Sequence, residues 1–383
     1  MNCQLMAALV AITVLSGCGV DPLLTYQPDS AATVTLPLAR SGVADRRAEF
    51  SRIFDDELRH SAGPHRHSES SKWLHNVDRP ETLSGETKTA DVSTTSKTSV
   101  LIVPGIFGDC VGNQSLPFSD GKVRIDDNAV AGYHYLRTMG LASIRALPVP
   151  GRSPSEYNSK ILAREILAEA AAVHIDQIII VAYSKGVPDA QQGLALLQNE
   201  GHLPNKVKAL VAVAGVVMGT PIADANANRY AALSPWVNPL TCSESVGNAV
   251  HSLSREARGQ WMARNSMPSE IRTYSVVAHT RGSDISPGLR YSHWELSFVD
   301  PRNDGQVIMT DAILPGSALL AEAKSDHWTF VLPLAESNEP AIRALATAAS
   351  YPRAEFFRAV IRIVLADLNV EDPHEIDRRP NSP

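Results

Sequence analysis

Four of the 383 residues are cysteine, and no two of them stand in a C-x-x-C pair or at a spacing from histidines that suggests structural zinc. Long runs of lysine or arginine are absent, the formal net charge is −6 and the pI is near 6.1. That balance excludes the basic face needed to displace counterions from nucleic acid. No internal repeat is visible, which argues against a solenoid or an array. No apolar run reaches the roughly 20 residues of a membrane-spanning helix; the longest at the amino terminus is MAALVAITVL, residues 6–15. What is present is ordinary for a globular protein: 44% hydrophobic and 20% charged residues, in a chain long enough for one large domain.

The apolar run at 6–15 reads as the core of an export signal, and Leu15-Ser16-Gly17-Cys18 directly after it resembles the lipobox of bacterial lipoproteins. The resemblance implies a signal peptide over 1–17 and lipidation at Cys18. Gly19 after that cysteine resembles the context that sorts such proteins to the outer membrane. The expected location is the bacterial cell envelope, on the periplasmic side of the outer membrane, with the lipid as membrane anchor. Cys3 falls in the signal, so Cys110 and Cys242 remain in the folded part, either as a disulfide in an oxidising compartment or as two buried thiols.

Residues 18–97 are uneven and polar, and stretches at 60–71 and 82–98 are rich in Ser, Thr, Gly and His, as in a tether. Phe50, Ile53, Phe54 and Leu58 recur at helical spacing, which predicts a short helix docked on the main domain. His60, His65 and His67 read as solvated. From 98 to 370 short apolar runs alternate with amphipathic segments, the pattern of an α/β fold with a mostly parallel central sheet and helices on both faces. Strands are predicted at 99–103, 144–149, 177–182, 207–217 and 271–278, with helices around 162–173, 187–198 and 356–368. An insertion at about 226–270 carries Trp236, Val237, Leu240, Val246, Leu253, Trp261 and Met262 and predicts a helical cap. The tail 371–383 is polar.

The sharpest chemical signal is Ala182-Tyr183-Ser184-Lys185-Gly186, which joins a predicted strand to a predicted helix. A serine on such a tight turn exposes its hydroxyl and needs small residues two positions before and after it. Ser184 is therefore the candidate nucleophile. The backbone N–H of Lys185 falls at a helix start, where it can face an oxyanion, and the lysine side chain is expected to point away from the pocket to the surface. A second oxyanion donor is expected from Pro104-Gly105-Ile106-Phe107-Gly108, at Ile106 or alternatively Phe107. The base must follow the last strands. His327 in Ser325-Asp326-His327-Trp328 meets that order, His374 lies in the polar tail, and His293 comes too early. For the acid, residue chemistry places Asp304 only modestly ahead of Asp284, Asp311 and Asp326.

Taken together, PGIFGD, AYSKG, MGTPIAD and NDGQV followed by DHW, in that order, resemble the bacterial triacylglycerol lipase and esterase branch of the α/β-hydrolases. The resemblance spans residues 99–334. It implies the α/β-hydrolase fold, a Ser184–His327–Asp304 triad, hydrolysis of carboxylic ester or lipid substrates through an acyl-enzyme, and no metal or organic cofactor. The spacing from NDGQV to DHW favours Asp304 among the carboxylates. Pro104, Ala182 and Lys185 depart from the usual lipase pattern. The same triad would serve a thioesterase, amidase or acyltransferase, and the reading of another class is a non-catalytic, lipid-anchored envelope binding protein.

Overall fold

The computed structural model describes residues 23–26, 34–37, 42–61, 64–75, 95–106, 136, 139–224, 249–336, 340–348 and 350–369. Cys18, Phe107, Cys110, Cys242, His374 and the first half of the expected cap lie outside the described residues. Among the described residues no helix is long and apolar enough to cross a membrane.

In chain order the elements are β1 (Leu23–Tyr26), β2 (Val34–Pro37), β3 (Ala44–Asp45), α1 (Arg47–His60), β4 (Thr98–Val103), β5 (Ser143–Ala146), α2 (Ser155–Ala170), β6 (Gln177–Tyr183) and α3 (Gly186–Asn199). Then come β7 (Val207–Val213), α4 (Arg255–Arg264), β8 (Arg272–His279), α5 (Arg290–Ser297), β9 (Ala318–Lys324), α6 (Pro340–Leu345) and α7 (Arg353–Leu368). β1 and β2 pair antiparallel by themselves. The other seven strands form one sheet in the order β3-β9-β8-β7-β6-β4-β5, and every pairing in it is parallel.

A parallel sheet covered on both faces requires strands that are apolar at every position, and the alternation of side chains then divides each strand between two cores. Val100 and Ile102 of β4 and Ile179, Val181 and Tyr183 of β6 enter one core. Leu101 and Val103, with Ile178, Ile180 and Ala182, enter the other. The first core is closed by α1 and α7. Phe50 and Phe54 meet Phe356 edge-on at 5.1 and 5.4 Å between ring centroids, which accounts for the helical spacing of apolar residues near position 50. Arg362 of α7 reaches Asp56 and Glu57 of α1 at 2.8 and 2.6 Å along the same seam. The second core is closed by α2 and α3 through Leu162, Ile166, Val187 and Leu194.

Two expected strand ends are corrected, and one strand is new. β7 stops at Val213 rather than 217 because Ala214 turns to a left-handed φ of 44°, after which the chain wraps the end of β6. β5 ends at Ala146, before Pro148, which has no N–H to give a neighbour. β9 was not foreseen: its sequence ALLAEAK has the composition of a helix, and its strand conformation comes from pairing between β8 and β3. Of the expected cap, residues 249–270 form a short 3-10 turn and α4, which starts at a Ser254 cap and buries Arg258 completely. The Arg258 guanidinium donates to the Val217 carbonyl and to Gln191 of α3, so this part of the insertion is fastened to the body.

β5 lies on one side of β4 and β6 on the other, so the chain reverses direction across the sheet there. A crevice forms at the C-terminal strand ends of such a point, and ligands bind in it. Ser184 and Ile106 lie at its two lips.

Candidate active site

Ser184 follows the last residue of β6 with a φ of 55°, a strained value for a residue with a side chain. The surroundings hold it there. Its N–H donates to the Val213 carbonyl at 3.0 Å, and its carbonyl accepts from Val187 and Val216 at 3.1 and 3.2 Å. The turn is so close to β4 that a Cβ on Gly186 would sit 2.4 Å from the Val103 carbonyl oxygen, and one on Gly105 would sit 3.0 Å from Ser184 Cβ. These are the physical reasons for glycine at both places.

His327 stands in the loop after β9. Its Nε2 lies 2.8 Å from Ser184 Oγ and its Nδ1 lies 2.7 Å from Asp304 Oδ2. A carboxylate can only accept, so Nδ1 carries the proton and Nε2 is left to receive the serine hydroxyl. The other oxygen of Asp304 accepts the backbone N–H groups of Gln306 and Val307 at 2.8 and 2.7 Å, and the Asp304 carbonyl accepts the His327 N–H at 2.8 Å. Gly305 makes this tight loop with a φ of 91°. All three side chains are buried, at 6%, 1% and 3% exposure for Ser184, Asp304 and His327.

The competing residues are employed elsewhere. Asp326 accepts the N–H groups of Ser286, Trp328 and Thr329 and shapes the loop that carries His327. Asp311 pairs with Arg255, and Asp284 is exposed. His293 sits on α5 with Nε2 3.1 Å from the Thr280 carbonyl oxygen.

Ile106 and Ser184 border a small, mainly apolar pocket completed by Val216, Thr220, Ile222, Ala223, Val250, Leu253 and Gln306. Lys185 occupies the N-cap position of α3, where a helix presents its backbone N–H groups. Its side chain corrects the expectation of a surface lysine. It is fully buried, with Nζ 2.8 and 2.7 Å from the two carboxylate oxygens of Asp189, one turn along α3. Asn158 of α2 donates to the same carboxylate at 2.7 Å. The turn does aim Lys185 away from the pocket, but that direction leads between α2 and α3 rather than into solvent.

Two contributors were missed from sequence. Tyr183 donates its hydroxyl to the His327 carbonyl at 2.8 Å and packs its ring 5.1 Å from the imidazole. Burial, with the negative charges of Asp304 and Asp326, holds its hydroxyl well above the usual range, so it remains a donor. Thr220, inside MGTPIAD, donates Oγ1 to the Gln306 carbonyl at 2.6 Å and ties that segment to the loop of Asp304. Strand parity marks Tyr183 as facing away from Ala182, but only the fold shows that His327 is there. Among the described residues one group could hold a metal ion, His75, His279 and Glu322, and it contains no member of the serine–histidine–aspartate chain.

No family model matches the chain, and no curated protein does. Solved structures do. A metagenomic carboxyl esterase, MGS0156, superposes with a TM-score of 0.75 at 26% identity, over 88% of this chain and 97% of that one. EstA from Clostridium botulinum superposes with a TM-score of 0.51 at 11% identity, over 84% and 98%, which bears on the fold alone. The protein has the α/β-hydrolase fold, with a seven-stranded parallel sheet flanked by helices and a carboxyl esterase among its structural homologues.

Proposed function

We propose that this protein is a serine hydrolase that cleaves carboxylic esters through an acyl-enzyme. The observation that carries the reading is the unbroken chain of contacts from Ser184 Oγ through His327 to the Asp304 carboxylate, at 2.8 and 2.7 Å. The likeness to a carboxyl esterase supports the choice of bond.

In this reading His327 Nε2 takes the hydroxyl proton as Ser184 Oγ attacks the ester carbonyl. The oxyanion forms beside the backbone N–H groups of Ile106 and Lys185. Asp304 stabilises the imidazolium, which then protonates the departing alcohol. Water enters, gives a proton to His327 and attacks the acyl carbon, and collapse of the second tetrahedral species returns the proton to Ser184 and releases the acid. The apolar wall of Val216, Ile222, Ala223, Val250 and Leu253 gives the acyl chain a place to lie.

A fluorophosphonate probe tests the proposal: it labels the wild type and spares Ser184→Ala, and equal labelling of both would overturn it. Matched ester, thioester and amide substrates then decide the bond, with the ester expected to turn over fastest. The N-terminal segment supports a second, separate proposal, that Cys18 carries lipid and anchors the enzyme in the envelope. Metabolic labelling with an alkyne fatty acid checks it, and labelling that persists in Cys18→Ser would remove it.

A further inference from the structure

Away from the Ser184 hydroxyl, three side chains from distant parts of the chain converge on the edge region of the sheet. His279 is the last residue of β8, and Glu322 lies on β9 beside it. His75 is brought in by an isolated bridge between Leu74 and Ala323, and its N–H donates to the Glu322 carbonyl at 2.8 Å. The His279 Nε2 is 2.6 Å from Glu322 Oε1. The two imidazoles stack with centroids 3.7 Å apart and planes 11° from parallel, and His75 Nε2 is 3.1 Å from the His279 carbonyl oxygen. One ligand atom from each of the three residues can be chosen so that all lie within 4.8 Å of one another.

We propose that His75, His279 and Glu322 bind a divalent cation of the zinc class. Two imidazole nitrogens and one carboxylate oxygen suit zinc and its neighbours, whereas calcium and magnesium take oxygen. Bond lengths of about 2.0–2.2 Å to such a metal require the three atoms to close to roughly 3–3.5 Å, so binding rotates the two imidazoles out of their parallel stack. The carboxylate is already held. Arg47 holds the other Glu322 oxygen at 2.5 Å and is itself paired with Asp45, which fixes the carboxylate and leaves Oε1 to the metal. Solvent access is also in place, because a cleft of about 660 Å³ opens over His75 and Glu322 between Arg47, Ser51, Asp55 and Glu69.

The bound ion fastens residues 70–75 to β8 and β9. That attachment otherwise depends on bonds such as Lys324 N–H to the Trp73 carbonyl and Lys324 Nζ to the Ser71 carbonyl, both at 2.8 Å. Glu322 precedes His327 by five residues, so the clamp steadies the strand that delivers His327 without touching substrate. The inference stands whether or not Ser184 is a nucleophile.

The test uses the full chain without a polyhistidine tag, stripped with a chelator and titrated with Zn²⁺, Co²⁺ and Ca²⁺. Expected are one equivalent of tightly bound zinc, a visible d–d spectrum for the cobalt form, a zinc-dependent rise in Tm and no response to calcium. His75→Ala and His279→Gln should each weaken zinc by at least about tenfold and abolish the Tm response. His75 lies in a loop at the surface of the clamp, so its variant should fold even where the strand variant does not. Absence of stoichiometric zinc in the wild type overturns the proposal. So does zinc affinity that His75→Ala leaves unchanged, or a calcium response equal to that of zinc.

Discussion

Two histidines in this molecule lean on a carboxylate at nearly the same distance, His327 on Asp304 at 2.7 Å and His279 on Glu322 at 2.6 Å. The surroundings set them apart. Asp304 is held by two backbone N–H groups and Glu322 by the Arg47 guanidinium. Through its other ring nitrogen His327 meets a serine hydroxyl on a strained turn, whereas His279 lies face to face against a second imidazole. A neutral cradle leaves the Asp304 charge available to the imidazolium that the proposed reaction would form. A guanidinium already answers the Glu322 charge, which suits an arrangement that stays put. A histidine–carboxylate pair is therefore defined chemically by what else surrounds the ring, and by what else holds the carboxylate.

Breaking the first pair should produce the largest effects. Ser184→Ala is expected to reduce kcat for an activated ester by about six orders of magnitude, read in steady-state assays with the folded state checked by circular dichroism. Asp304→Asn should follow, with a loss on the order of 10⁴ in kcat, because an amide nitrogen placed against His327 favours the wrong tautomer. KM should change little. Comparable activity in Asp304→Asn would shift the acid to another carboxylate.

Breaking the second pair should act on stability instead. Glu322→Gln removes the charge that Arg47 and His279 share and is expected to cost about 2 kcal/mol in urea unfolding of the metal-free protein. A loss confined to kcat would erase the distinction between the two pairs. Tyr183→Phe tests how His327 is held. Loss of the hydroxyl from the His327 carbonyl should lower kcat by up to about tenfold and leave KM in place. The hydroxyl stays protonated through the working range, so the ratio of variant to wild type should not depend on pH.

A last, pH-dependent effect concerns another buried carboxylate. Burial raises Asp311 from 3.8 to about 6 although Arg255 pulls the other way. The folded state thus binds a proton that the unfolded state has already released between those values. The associated stability is present below the unfolded pKa and is lost as pH rises through about 6. Asp311→Asn, which cannot ionise, should gain on the wild type in Tm as pH goes from about 4 to about 7. A gap that does not change with pH would mean that Arg255 wins over burial.

Ser184 was legible because its signal is local: an apolar strand, a tight turn with small flanking residues and a helix, all within a few residues. His327 was legible by order along the chain. Asp304 was not separable from its neighbours by residue chemistry, because Asp326 and Asp311 stand in similar loops, and what distinguishes them is that only Asp304 reaches the imidazole. Lys185 misled for a related reason. The turn specifies the direction of its side chain, but whether α2 lies there with Asn158 is a tertiary fact.

The sequence alone determined the sheet-and-helix alternation, the placement of a hydroxyl at the end of β6 and the histidine that follows β9. These rest on periodicity and on steric rules between near neighbours, which travel with the chain. Tertiary structure decided that ALLAEAK is a strand, that Tyr183 supports His327 and that His75, His279 and Glu322 meet. Pairing and burial between distant segments outweigh local preference at those places, and no short window of sequence contains them.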